Sequence, residues 1–97
     1  MAHKKIVGSR GNVFEDLGFT HEEAEHLHIR SALMATLRER IAAKGWTQAQ
    51  AATLLGVTQP RVSDLVRGKI DLFSIDTLVE MLAKAGCHVE VRVAQPA

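Results

Sequence analysis

At 97 residues the chain has room for one hydrophobic core and little room for a second. Hydrophobic residues make up 46% and aromatics only 4%; Ala, Leu, Val and Ile dominate, a mix that suits packed helices. With a formal net charge of +1, bulk charge does not argue for a nucleic-acid partner, so any phosphate attraction must come from local clusters.

No apolar run approaches the roughly 20 residues that a membrane span needs, and the charged start Met1-Ala2-His3-Lys4-Lys5 leads into no long apolar stretch. Neither a membrane segment nor a signal peptide is expected. Cys87 has no second cysteine to pair with, so it reads as a small buried or half-buried residue in a reducing, cytoplasmic setting.

Residues 1–19 lack a clear period, and Gly8, Ser9, Gly11 and Asn12 mark a loop or arm. Val13, Phe14, Leu17 and Phe19 form an apolar cluster within it. They either fold back onto the core or stand exposed as a partner-binding segment. Thr20-His21-Glu22-Glu23 is a capping box with Phe19 as its hydrophobic staple, and it opens a long helix. Ala24, Leu27, Ile29, Leu33, Met34, Leu37 and Ile41 supply the apolar stripe, and Gly45 stops the helix. Charges between Glu15 and Glu25 are all acidic, whereas Arg61, Asp64, Arg67 and Lys69 leave a local basic excess. Next comes a second capping box, Thr47-Gln48-Ala49-Gln50, opening a short helix that ends at Gly56. Thr58 caps a third helix with Pro60 in its first turn, where no intrahelical N–H is lost. Val62, Leu65 and Val66 are taken as its inward face. Ser74 caps a fourth, with Ile75, Leu78, Val79 and Leu82 apolar and Gly86 as its stop. Finally, His88-Val89-Glu90-Val91-Arg92-Val93 alternates as a half-buried strand does. A lone strand leaves its backbone unpaired, so its partner is either residues 4–7 or the same strand of a second chain.

The tight turn at Gly56-Val57 sets two short helices at a steep crossing, packed through Ala51, Ala52 and Leu55 against Val62 and Leu65. The outer face of the second helix is then free. At a helical step of about 100° it carries Gln59, Pro60, Arg61, Ser63, Asp64 and Arg67. Such a face can enter a major groove, where Gln pairs bidentately with adenine and Arg with guanine. Gln59 and Arg61 are the expected base readers on this face. Arg67 and Lys69 near the helix end, and Gln48 at the start of the preceding helix, are expected to meet phosphates.

Thr47-Gln48-x-x-Ala51-Ala52-x-x-Leu55-Gly56-Val57-Thr58-Gln59-x-x-Val62-Ser63-x-Leu65-x-x-Gly68 resembles the helix-turn-helix of the Cro/repressor (XRE) family. The resemblance implies an all-α, lambda-repressor-like domain of 4–5 helices, here with a short C-terminal β-strand. It also implies that Gln48 touches phosphate, with Thr47, Thr58, Ser63, Arg67 and Lys69 near the backbone, and that Gln59, Pro60, Arg61 and Asp64 stand at base-facing positions. Two positions depart from the pattern. Pro60 offers a base only apolar contact, such as a thymine methyl. Asp64 either selects an exposed base amino group or pairs with a neighbouring Arg. The wider layout, with Asn12-Val13-Phe14-Glu15-Asp16-Leu17-Gly18 ahead of the motif, resembles small HigA-type antitoxins. That likeness implies a small RNase-type toxin as a partner for residues 1–30.

The expected organisation is therefore an arm over 1–19, a helix-turn-helix domain over 20–86 and a strand over 87–97 as a candidate dimerisation element. A homodimer would place two reading helices about 34 Å apart on a palindromic duplex. Other chemistry has little support. His21, His26 and His28 lack zinc-motif spacing, few aromatics are available to stack on RNA bases, and no phosphate loop or nucleophile elbow occurs. No cofactor, metal or catalytic set is expected.

Overall fold

The computed structural model describes residues 13–95. In chain order it has α1 (Val13–Asp16), α2 (His21–Lys44), α3 (Gln48–Leu55), α4 (Gln59–Val66), a 3-10 turn at Ile70–Leu72 and α5 (Ile75–Lys84). Four of these helices begin on the caps expected of them. Thr20 and Thr47 each form a complete capping box, the hydroxyl taking the amide three residues on while the Glu23 or Gln50 side chain returns to the cap amide. Thr58 and Ser74 accept from the amides of Arg61 and Thr77. Gly45 and Gly56 end α2 and α3 in the left-handed conformation that a β-carbon disfavours, at φ 66° and 69°.

The 24-residue α2 is the spine, and α5 packs on it most extensively. Leu37, Leu55, Val62, Leu65, Phe73, Leu78 and Leu82 are almost wholly buried, so every helix from α2 to α5 reaches one continuous core. Two expected faces are shifted by a residue. Val66 is 41% exposed, because the inward stripe of α4 is narrow and consists of Val62 and Leu65. In α5, Met81 is buried and Val79 is exposed, since Leu78, Met81, Leu82 and Ala85 fall on the i, i+3, i+4, i+7 stripe that faces α2.

The C-terminal strand expected over residues 88–93 does not form, and no strand occurs among the described residues. A strand exists only when its backbone is paired, and no sheet edge lies beside this segment among the described residues. Val89 packs on the core while Val91 and Val93 are 85% and 76% exposed. Residues 4–7, one of its two expected partners, lie outside the described residues. The cluster expected within the arm is ordered as α1 and a turn at Gly18, with Phe14 edge-on to Phe19 at 6.3 Å between ring centres. Phe14 is half-buried, but Val13, Leu17 and Phe19 are exposed, so the cluster does not fold fully onto the core.

His21 Nδ1 lies 2.9 Å from Glu15 Oε1 and clasps α1 to the start of α2. The hydrogen bond to Glu15, and then its charge, raise the His21 pKa above its ordinary value. Glu23 moves the other way, lowered first by the Thr20 amide and then by the Thr20 hydroxyl. A raised histidine stabilises fully below the ordinary imidazole value of about 6.5, and that contribution is lost as pH rises through the folded value. A lowered carboxylate contributes above its ordinary value and is lost as pH falls through the folded one. Raising pH through the folded His21 value should therefore speed amide exchange at Gly18 and Phe19, and Glu15→Gln should abolish that pH response. Exchange that follows only the intrinsic base-catalysed rate in both proteins would show that the clasp does not hold α1.

Candidate nucleic-acid interface

The α3–α4 pair is built for close approach. Ala51 and Ala52 are buried with Leu55 in α3, facing Val62 and Leu65 of α4, and their small side chains let the backbones come together. After Gly56 the Val57 amide donates back to the Ala52 carbonyl at 3.0 Å, closing the turn. The inner face of α4 is thereby consumed by packing. Its outer face and open N-terminal end are left to solvent.

The expected base-facing residues all stand on α4. Gln59 and Pro60 are exposed in its first turn, whereas Arg61 and Asp64 are half-buried. Arg61 is not a free outward side chain. Its Nη1 donates to the Leu72 carbonyl at 2.6 Å, and its guanidinium lies 4.2 Å from the centre of the buried Phe73 ring. One plane of the fork is thus fixed against the core, while the remaining donors of a five-donor group are not used by these contacts. Asp64 pairs with Lys69, Oδ1 to Nζ at 3.4 Å, rather than with an arginine. The pair offsets a carboxylate that would otherwise repel phosphate, and it also occupies one of the expected phosphate ligands.

The expected phosphate-facing residues fall at the starts of both helices, within α4 and just beyond it. Thr47, Gln48 and Thr58 are exposed at the helix starts, where first-turn amides carry partial positive charge. The Thr47 box uses the amides of Thr47 and Gln50, so those of Gln48 and Ala49 are the ones left for an anion. Arg67 and Lys69 are exposed beyond α4, and Ser63 is half-buried. The fold adds one cation that spacing could not reveal. Arg38 of α2 reaches the turn after α4, where its Nη1 would be 3.4 Å from a β-carbon at Gly68. The two positions are far apart in the chain, and no local pattern links them. Arg38, Arg67 and Lys69 thus gather at the C-terminal end of α4, and α3 presents Gln48 and its unused amides at its own start.

Among the described residues, no group of three or more His, Cys, Asp or Glu could hold a metal ion, and no helix is long and apolar enough to cross a membrane. The chemistry on offer is recognition of an anionic, groove-bearing polymer by amides, guanidinium groups and carboxamides.

Comparison with known proteins points the same way. The family described as "Helix-turn-helix domain" matches residues 13–94. An uncharacterized HTH-type transcriptional regulator of Haemophilus influenzae (strain ATCC 51907 / DSM 11121 / KW20 / Rd) is 34% identical over 80 residues, covering 82% of this chain and 81% of the relative. A solved structure named for the XRE family of transcriptional regulators superposes with a TM-score of 0.72 at 31% identity, covering 76% of this chain and 83% of the other.

The Arg61 contacts predict an effect on folding separate from any ligand. Arg61→Ala should lower unfolding free energy by about 1–2 kcal/mol, the sum expected of a cation–π contact and a hydrogen bond. Arg61→Lys should recover part of it, since an ammonium keeps the ring contact and loses the planar fork. Urea midpoints indistinguishable between the parent and the Arg61→Ala variant would show that the contacts carry no weight.

Proposed function

Since the chain belongs to the XRE-type helix-turn-helix family, we propose that it is a transcriptional repressor that binds duplex DNA sequence-specifically as a homodimer. One observation carries the reading. The buried side of α4 is apolar and locked, while its opposite side is a polar, capped, solvent-facing surface flanked by cations. A helix held in this way can lie in a major groove with its N-terminal residues at base edges.

Each site residue has a role in this proposal. Gln59 reads a base through its carboxamide, Pro60 gives apolar contact, and Arg61 reads with the donors left free by Leu72 and Phe73. Asp64, held by Lys69, disfavours bases that lack an exposed amino group. Thr47, Gln48, Thr58 and Ser63 donate to phosphates, and Arg38, Arg67 and Lys69 neutralise them. Repression follows from occupancy of a promoter site that the polymerase needs. The expected site is palindromic, because two related α4 helices read related half-sites.

Selection of bound duplexes from a random library, followed by anisotropy titrations, tests this. Gln59→Ala should lose discrimination of about 1–3 kcal/mol at one base pair per half-site. Gln48→Ala should weaken all sequences alike. Arg67→Ala should reduce the slope of log affinity against log salt by about one for each phosphate left unneutralised. A chain that enriches no sequence and binds only with the salt dependence of a weak polycation would sink the proposal.

The geometry of α1 favours a further role as an antitoxin. Val13, Leu17 and Phe19 present apolar surface at 57%, 69% and 43% exposure beside acidic Glu15 and Asp16, a combination suited to a small basic protein. The proposed partner is a small RNase-type toxin. Nuclease-treated pull-downs from the native host should recover such a protein in stoichiometric amount, and Leu17→Asp should release it. Recovery of the chain alone would leave the repressor without a toxin.

A further inference from the structure

Arg61 stands on the proposed reading face, yet it is tied to the core by elements that are themselves fixed. The 3-10 turn at Ile70–Leu72 closes with the Phe73 amide donating to the Ile70 carbonyl at 3.2 Å. Arg30 of α2 holds the same Ile70 carbonyl through Nη1 at 3.4 Å. Phe73 follows directly and is 1% exposed, enclosed in the core. The platform under Arg61 is therefore part of the packed interior, while Arg61 itself is half-buried.

The two contacts leave a particular edge of the guanidinium. The ring takes one face, with its centre 4.2 Å from Cζ, and the Leu72 carbonyl takes Nη1 at 2.6 Å. Contact with the ring fixes the plane, and the hydrogen bond fixes rotation within that plane. The Nε–Nη2 edge keeps two parallel N–H donors. Asp64, one turn along α4, is engaged by Lys69 instead of this edge.

We propose that Phe73, too deeply buried to touch DNA, is a positioning residue for sequence recognition: its ring and the Leu72 carbonyl hold Arg61 so that the Nε–Nη2 edge selects guanine. The inference rests on the reading of Arg61 as a base-facing residue and adds what aims it. Guanine is the base whose major-groove edge sets two acceptors, O6 and N7, side by side; adenine puts a donor beside its N7, and thymine offers one acceptor. A mobile arginine can turn to meet any of these, or a phosphate, at the cost of ordering a long side chain. A held fork meets only the paired acceptors without leaving the ring and the carbonyl. Its ordering takes place in folding, before a duplex arrives.

The order of Arg61 in the free, full-length chain is the first readout. By nitrogen relaxation its Nε–H should show an order parameter near the rigid-backbone value of about 0.85, and that of the exposed Arg67 should fall below about 0.6. A mobile Arg61 overturns the inference without any variant. The second readout is base preference, measured by anisotropy on the selected duplex and on versions changed at one base pair. Arg61→Ala identifies the guanine, as the position where preference collapses. At that guanine Phe73→Met, which nearly keeps volume and removes the ring, should reduce a preference of about tenfold to about twofold. Replacing the guanine by 7-deazaguanine should weaken the parent markedly and Phe73→Met far less. Phe73→Tyr, which keeps the ring, should retain the preference, and preference at the pair read by Gln59 should not move in either variant. Urea midpoints would confirm that each variant is folded under the assay conditions. A Phe73→Met variant that binds every duplex more weakly but keeps its guanine preference assigns Phe73 to packing alone; the inference falls and Arg61 keeps its base role. If Arg61→Ala instead weakens all duplexes alike, Arg61 holds phosphate, and its base role falls together with the inference.

Discussion

Two helices of eight residues carry the proposed recognition surface, and neither is long enough to be stable alone in water. Everything else in the fold answers to that constraint. The alanines of α3 let it approach α4 closely enough for Val62 and Leu65 to be wholly enclosed. The long α2 and the strongly amphipathic α5 then supply the apolar floor that the short pair lacks. Caps matter more here than in a long helix, because each eight-residue element has a large share of its amides and carbonyls at its ends. Thr47 and Thr58 address the starts, and Gly56 addresses the turn between.

The positive side chains face a conflict that follows from the same constraint. Helix ends expose carbonyls, and cations are drawn to them. Arg40 Nε donates to the Ala85 carbonyl at 2.9 Å, Arg30 Nη1 reaches the Ile70 carbonyl at 3.4 Å and Arg61 holds Leu72. Lys84 Nζ sits over Gly56, 2.9 Å from where a β-carbon would be. The arginines that hold carbonyls carry a structural duty as well as their charge. Beside the end of α4, one copy brings Arg38, Arg67 and Lys69. In the proposed reading, a second copy on DNA adds phosphate-neutralising charge as well as a second reading helix.

Local physics makes much of this fold legible in the sequence. A threonine with Glu or Gln three residues later states its own role, and so does glycine after an apolar period; the bounds of α2 and α3 follow from those signals. Direction is harder. Val66 and Val79 are apolar and lie beside a stripe rather than on it, and composition cannot separate those cases; burial of Met81 in place of Val79 depends on where α2 lies. The arginine at position 61 reads as outward from helical angle alone, yet Leu72 and Phe73, more than two helical turns further along the chain, turn it back. Arg38 at the end of α4 is invisible for the same reason, since its place depends on a tertiary approach. The tail alternates as a strand does, and yet no strand forms. Alternation records what one chain offers, and a strand needs two.

The fixing of Arg61 over Phe73 has a consequence for how this surface can diversify over generations. Gln59, Pro60 and Arg67 stand clear of the core, and the cap at Thr58 and the stripe of Val62 and Leu65 hold the helix whatever those positions carry. They are free to drift, and preference for a target can drift with them. Position 61 is tethered. A change there alters the anchorage of the helix along with whatever it touches, so variation at 61 is expected to arrive paired with variation at 72 or 73. In the proposed reading, target choice and structural anchorage are separable at Gln59, Pro60 and Arg67 and fused at position 61.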